Sequence, residues 1–141
     1  MKLPTLAKLF EDQLKDLHSA ETQLTKALPK LAKKASSDAL REALTNHLAE
    51  TKGQVERLDQ IGGDLGIKLT GKKCKAMEGL IQEGAEVLEA EGPGPIIDSA
   101  LIAAAQRVEE VDAEPGRCGD GGRDSREERG VPWKCAFGGA D

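Results

Sequence analysis

Three groups of residues have the types and spacing to do chemistry. Glu21 stands in a run of apolar residues, Phe10, Leu14, Leu17, Leu24, Leu28 and Leu31, that alternate in steps of four and three. It takes the one position in that seam where Leu is otherwise the rule, and an unpartnered carboxylate there would be costly to bury. His47, Glu50 and Gln54 are three and four residues apart, which makes them neighbours on one side of a helix. Glu83 and Glu86 form a third group, and spacing does not choose between them; Glu78 flanks an apolar stripe and is weaker. Carboxylates and imidazoles projecting inward from facing helices can hold two metal ions, commonly with one Glu from each of two helices and Glu-x-x-His from each of the others. Such oxygen and nitrogen donors suit iron or manganese, and bridging carboxylates offset the charge of two close ions. The plainer alternatives are a seam-edge Glu21 paired with Lys or Arg, an ordinary His47, and a solvated acidic face for Glu83 or Glu86.

Helices must position these residues. The seam predicts a long amphipathic helix from about Thr5 to Lys34, with Pro29 kinking it or starting a new turn. Ser37 or Asp38 suits the N-cap of a second helix, about Ala39 to Ile61, with Leu40, Leu44, Leu48, Val55 and Leu58 on one face. Gly62, Gly63 and Gly66 are expected to end it, and 64–73 to cross the bundle as a loop. A third helix, about Lys75 to Ala90, carries Met77, Leu80, Ile81, Gly84 and Leu88 inward. Gly92-Pro93-Gly94-Pro95 marks a turn, and an Ala- and Ile-rich fourth helix starts near Ile96. From Glu114 the chain turns to Gly, Arg, Asp and Pro with no apolar period, so the expected division is a helical domain over 1–113 and an irregular, disordered tail over 114–141.

Composition bounds the function. The 141 residues allow one modest core, and with two Phe, one Trp and no Tyr it must be built from aliphatic residues and Met. Twenty basic against 25 acidic residues give a net charge of −5 with no basic stripe, which disfavours nucleic acid as a partner. Lys26, Lys30, Lys33 and Lys34 cluster on the first helix and read most simply as a solvated face. No run is long enough to span a membrane and no export signal is visible, so the expected compartment is the cytoplasm. Cys74, Cys118 and Cys135 contain no CxxC pair and are expected to be plain thiols. No glycine-rich phosphate loop or nucleophilic triad is present.

Four stretches carry a family likeness: Ser19–Leu31, His47–Leu58, Cys74–Ile81 and Ala100–Glu109. Together they resemble, in register from about Thr5 to Glu109, the YciE/YciF-type family of bacterial ferritin-like proteins. The resemblance implies an all-α, ferritin-like four-helix bundle with an added fifth helix, a homodimer, and a link to stress response. It also implies a di-metal iron or manganese site in which Glu50 and Glu109 join Glu21 and either Glu83 or Glu86. The pattern is incomplete here. Gly53 stands where the histidine partner of Glu50 is expected, Asp112 occupies the partner position of Glu109, and Pro115 would stop the fourth helix. The expected bundle is therefore one with a truncated fourth helix and no fifth. A shifted reading frame or truncated gene would produce such a switch, and a divergent native tail is the alternative. A metal-free helical dimerisation module is the competing functional expectation.

Overall fold

The computed structural model describes residue 2 and residues 4–112, the side chains of 110–112 excepted. Four helices follow one another: α1 Leu6–Lys34, α2 Asp38–Leu65, α3 Lys75–Glu89 and α4 Gly94–Asp112. The fold is an all-α helical bundle. The expected tail over 114–141 lies outside the described residues.

Each helix begins where the local chemistry favours it. Thr5 Oγ1 accepts from Lys8 N at 3.1 Å, and Ser37 Oγ from Leu40 N at 3.4 Å, so both hydroxyls satisfy amides that the first turn leaves open. Cys74 makes no side-chain cap for α3; instead its backbone N–H donates to Ser19 Oγ at 2.9 Å, which pins the start of α3 to α1. At the head of α4 the Pro93 carbonyl accepts from Ile96 N and Ile97 N, and Pro95 lies in the first turn, where its missing N–H costs nothing.

Helix α1 spans Leu6–Lys34 close to the expected bounds, with the exposed Pro29 inside it and the flanking Leu28, Leu31 and Ala32 buried. One boundary differs from expectation. Helix α2 continues through Gly62 and Gly63 to Leu65, and only Gly66 ends it. Of these three glycines only Gly66 adopts the left-handed conformation, with φ of 65°, and its N–H reaches back to the carbonyls of Gly62 and Gly63. Gly62 has a packing role: a Cβ there would stand 2.9 Å from Leu69 and 3.0 Å from the Ile67 carbonyl.

Named contacts fix the topology. Helices α1 and α2 are antiparallel, since His18 Nε2 meets Asp59 Oδ1 at 2.9 Å near one end and Arg41 donates to the Ala35 carbonyl at the other. Helix α3 runs parallel to α1, from Ser19 beside Cys74 to Lys34 Nζ on the Ala90 carbonyl. Helix α4 returns parallel to α2. Its Asp98 accepts from Ser36 N, Ser36 Oγ and Ser37 N at 2.8–2.9 Å, tying α4 to the α1–α2 turn. Gly94 permits this closeness, because a Cβ on it would meet Ser36 Oγ at 2.6 Å.

The core is Leu14, Leu24, Leu28 and Leu31 of α1 with Leu44, Met77, Ile97, Leu101 and Val108. Phe10 and Leu17, expected in the seam, are 50% and 42% exposed. The seam is longer than its cover: α3 starts beside Ser19, so the first turns of α1 lie beyond it, and α3 and α4 have 15 and 19 residues against 29 and 28.

Gly62→Ala is expected to destabilise by roughly 1 kcal/mol despite its better helix propensity, because of the crowding against Ile67 and Leu69. Gly63→Ala, with open space around its Cβ position, should leave stability unchanged or raise it. Urea unfolding of both variants separates the effects. Asp98 makes a second test. The backbone amide of Ser36 above all, then its hydroxyl and the Ser37 amide, hold the Asp98 carboxyl below the ordinary Asp range. A lowered folded-state pKa stabilises above the unfolded value near pH 4 and loses that stabilisation as pH falls through the folded value. Asp98→Asn should therefore lower Tm at pH 7, and the gap from wild type should close in acid.

Candidate functional site

A polar layer interrupts the aliphatic core at mid-bundle. Glu21 of α1 and Glu109 of α4 are each only 7% exposed. Both face α2, whose inward stripe there is His47, Thr51 and Gln54, at intervals of four and three residues. The stripe continues the phase of Leu44, so the helical repeat carries these positions inward.

Each carboxylate is met by a donor from α2. The Gln54 amide, its nitrogen facing Glu21, donates at 3.0 Å to Oε1 and 3.1 Å to Oε2. His47 Nε2 lies 2.6 Å from Glu109 Oε1, with both side chains largely buried. When His47 is protonated this is a close ion pair; when neutral, its Nε2–H tautomer presents a donor to the carboxylate. Thr51 sits between the two pairs, fully buried, and its hydroxyl has no hydrogen-bond partner among the described residues. The Thr22 hydroxyl, next to Glu21 in sequence, is in the same condition. Buried hydroxyls without a partner, in a core that also holds two carboxylates, mark a region whose polar capacity the protein leaves partly unused.

Of the five carboxylates expected to gather, the structure buries Glu21 and Glu109. Glu50 is exposed: one residue before Thr51 on α2, it falls about 100° away from the inward stripe. Glu83 and Glu86 lie on the outer side of α3. Glu83 stands 3.5 Å from Arg107 of α4, a surface pair of small energetic weight. Glu78 pairs with Lys73 at the start of α3. The Asp112 side chain lies outside the described residues. The spacing that makes His47 and Gln54 neighbours on one side of α2 also takes in Thr51, which carries no charge to single it out. The signal was present, since 44, 47, 51, 54 and 58 make an unbroken heptad track.

The donor set bears on a metal. Two buried carboxylates, an imidazole and a hydroxyl are ligands suited to a divalent iron or manganese ion. A two-ion arrangement finds too few inward carboxylates, with Gly53 in place of a histidine and Glu50, Glu83 and Glu86 outside. Among the described residues no three His, Cys, Asp or Glu side chains converge on one point. Cys74 is free and buried, and burial, more than any other influence, raises its thiol pKa; it is capped into the α1–α3 junction rather than aimed at the layer.

The family model matching residues 5–113 is described as a domain of unknown function, DUF892. The chain belongs to the DUF892 family. Over 110 residues it is 47% identical to Protein YciF of Escherichia coli strain K12, covering 77% of this chain and 66% of that protein. It thus spans about two thirds of the relative's length. The solved structure of the E. coli stress protein YciF superposes with a TM-score of 0.74 at 46% identity, over 78% of this chain and 70% of the other. YcfI of Rhodopseudomonas palustris, a proposed structural protein, matches with the same TM-score at 40% identity, over 79% and 71%. These DUF892 relatives fix the bundle, and their names bring no ligand with them.

The polar layer yields a stability prediction. Gln54→Leu removes the amide from a buried carboxylate and should cost roughly 2 kcal/mol. Glu21→Leu combined with Gln54→Leu replaces the pair by apolar packing and should restore or exceed wild-type stability in urea unfolding. That outcome would show that stability alone does not account for the pair.

Proposed function

We propose that this DUF892 protein is a stress-response protein of the ferritin-like kind that takes up an iron or manganese ion in its mid-bundle polar layer. The observation that supports this reading is the burial of Glu109 against His47, with Glu21 and the orphaned Thr51 hydroxyl also buried in a core otherwise aliphatic. His47 and Glu109, 2.6 Å apart, would be the protein ligands, with solvent completing the coordination, while Gln54 orients Glu21 about two helical turns along α2 as a nearby negative charge. A bound ion of this kind supplies Lewis-acid or one-electron chemistry. The chain's own contribution is two carboxylates buried within an aliphatic core that includes Leu24, Leu44 and Leu101, each met by a donor from α2. The link to stress rests on the likeness to YciF.

A second reading, a helical module that associates as a homodimer, is favoured by a different observation. Leu6, Phe10 and Leu17 of α1 and Ile61 and Leu65 of α2 are all exposed near one end of the α1–α2 pair. A cluster of large apolar side chains on one surface is characteristic of association.

Elemental analysis after incubation with ferrous or manganous salt and exhaustive dialysis distinguishes the two. The metal reading expects about one ion per chain, a rise in Tm with added metal, and loss of both in Glu21→Ala with Glu109→Ala. The triple variant Glu50→Ala, Glu83→Ala, Glu86→Ala should retain the ion. A folded protein that stays metal-free and sediments as a dimer with or without chelator would leave the helical module as the better account.

A further inference from the structure

A groove of about 310 Å³ opens between α1 and α3, on the flank of the bundle away from α2, and shares no residue with the polar layer. Its walls are Leu24 and Leu31 of α1 and Ile81 and Leu88 of α3, and its floor includes Ala104 and Val108 of α4. Gly84 of α3 faces it: the residue is buried, yet a Cβ placed on it would have no atom within 4 Å. A glycine inside a helix costs about 1 kcal/mol relative to Ala, and here it leaves a hollow rather than permitting a close contact.

The rim is cationic. Lys26 and Lys30, one turn apart on α1, line the groove, and Lys73 lines it too, next to the start of α3. Lys73 pairs with Glu78, whereas among the described residues Lys26 and Lys30 face no carboxylate. On a chain of net charge −5, two adjacent lysines beside an apolar trough are complementary to a ligand with one anionic end and a long aliphatic body. The length is also set. Gln23 to Leu31 on α1 and Leu80 to Leu88 on α3 each advance about 12 Å, which matches an extended chain of roughly ten carbons. The volume is at the small end of the range for small-molecule sites.

We propose that this groove binds a free, straight-chain fatty acid of medium length, its tail between Leu24, Leu31, Ile81 and Leu88 and its carboxylate at Lys26 and Lys30. The aliphatic walls supply affinity without polar demand along the tail, and the paired ammonium groups select a carboxylate over a neutral head. Gly84 keeps the trough open. The site does not depend on the metal reading.

Titration calorimetry of the full chain with decanoate tests this. Saturable binding with a Kd below ~1 mM is expected, weaker by roughly tenfold for octanoate, which lacks two methylenes. Gly84→Leu should fill the trough and weaken decanoate at least tenfold, while its Tm stays at or above wild type because a helical glycine has been removed. Lys26→Gln with Lys30→Gln should weaken decanoate severalfold and leave decanol unchanged. No saturable heat with decanoate, undiminished binding in Gly84→Leu, or decanol binding as tightly as decanoate would each overturn the proposal. So would a wild-type dimer that Gly84→Leu dissociates, since a second copy would then fill the groove.

Discussion

A core without large aromatic side chains has to be filled by bringing helix backbones close together. Of the two Phe and one Trp, Phe10 is the only one among the described residues, and it is half exposed. The core is left to Leu, Met, Ile and Val with Ala20, Ala32, Ala35 and Ala104 between them. Small residues let α1 sit close to α2 and α3, and close approach makes the few polar insertions decisive. Every carboxylate admitted to such an interior has to be met by a donor from the facing helix. Gln54 and His47 meet that requirement from α2, and the Asp98 bonds to Ser36 and Ser37 meet it at the end of the bundle.

Much of this was legible in the sequence, for identifiable reasons. The period of Leu14, Leu24, Leu28 and Leu31 specified α1, and the same period showed Glu21 as a polar residue in an apolar track, which the structure buries. Glu109 was identified through resemblance alone, and it too is buried. Glu50 fits the ligand pattern that the family resemblance implies, but one residue of helical phase separates it from the interior, and Thr51 takes the inward place. Between Glu83 and Glu86 periodicity offered no choice, and neither faces inward, because Met77 and Gly84 set the inward face of α3. The end of α2 departs from its sequence signal for a different reason. Glycine pairs read as breaks, but a glycine ends a helix only where the backbone turns left-handed, and a sequence does not show that Gly62 is needed for the approach of Leu69.

The two candidate sites divide the bundle by chemistry. The polar layer faces α2 and sets two carboxylates against the Gln54 amide and the His47 imidazole. The groove lies on the opposite flank of α1 and is rimmed by ammonium groups above hydrocarbon, so it suits an amphiphilic anion. Helix α1 separates them, presenting Glu21 to one side and Lys26 and Lys30 to the other. The lysine cluster that reads as a solvated face in the sequence thus borders a cavity once α3 is in place.

The unequal lengths of the helices have a consequence for motion. Helices α1 and α2 extend past the start of α3, and there Leu6, Phe10, Ile61 and Leu65 pack against little that would hold them. Lys72, bridging to Asp12 at 2.5 Å and Asp16 at 3.4 Å, is a partly solvated clasp on that end. The opposite end is closed by Asp98 and by the buried Leu28, Leu31 and Leu44. Opening should therefore be graded along the bundle axis: backbone amides in the early turns of α1 and the last turns of α2 exchange with solvent by fraying, whereas those near Leu28 and Leu101 exchange only when the whole domain unfolds.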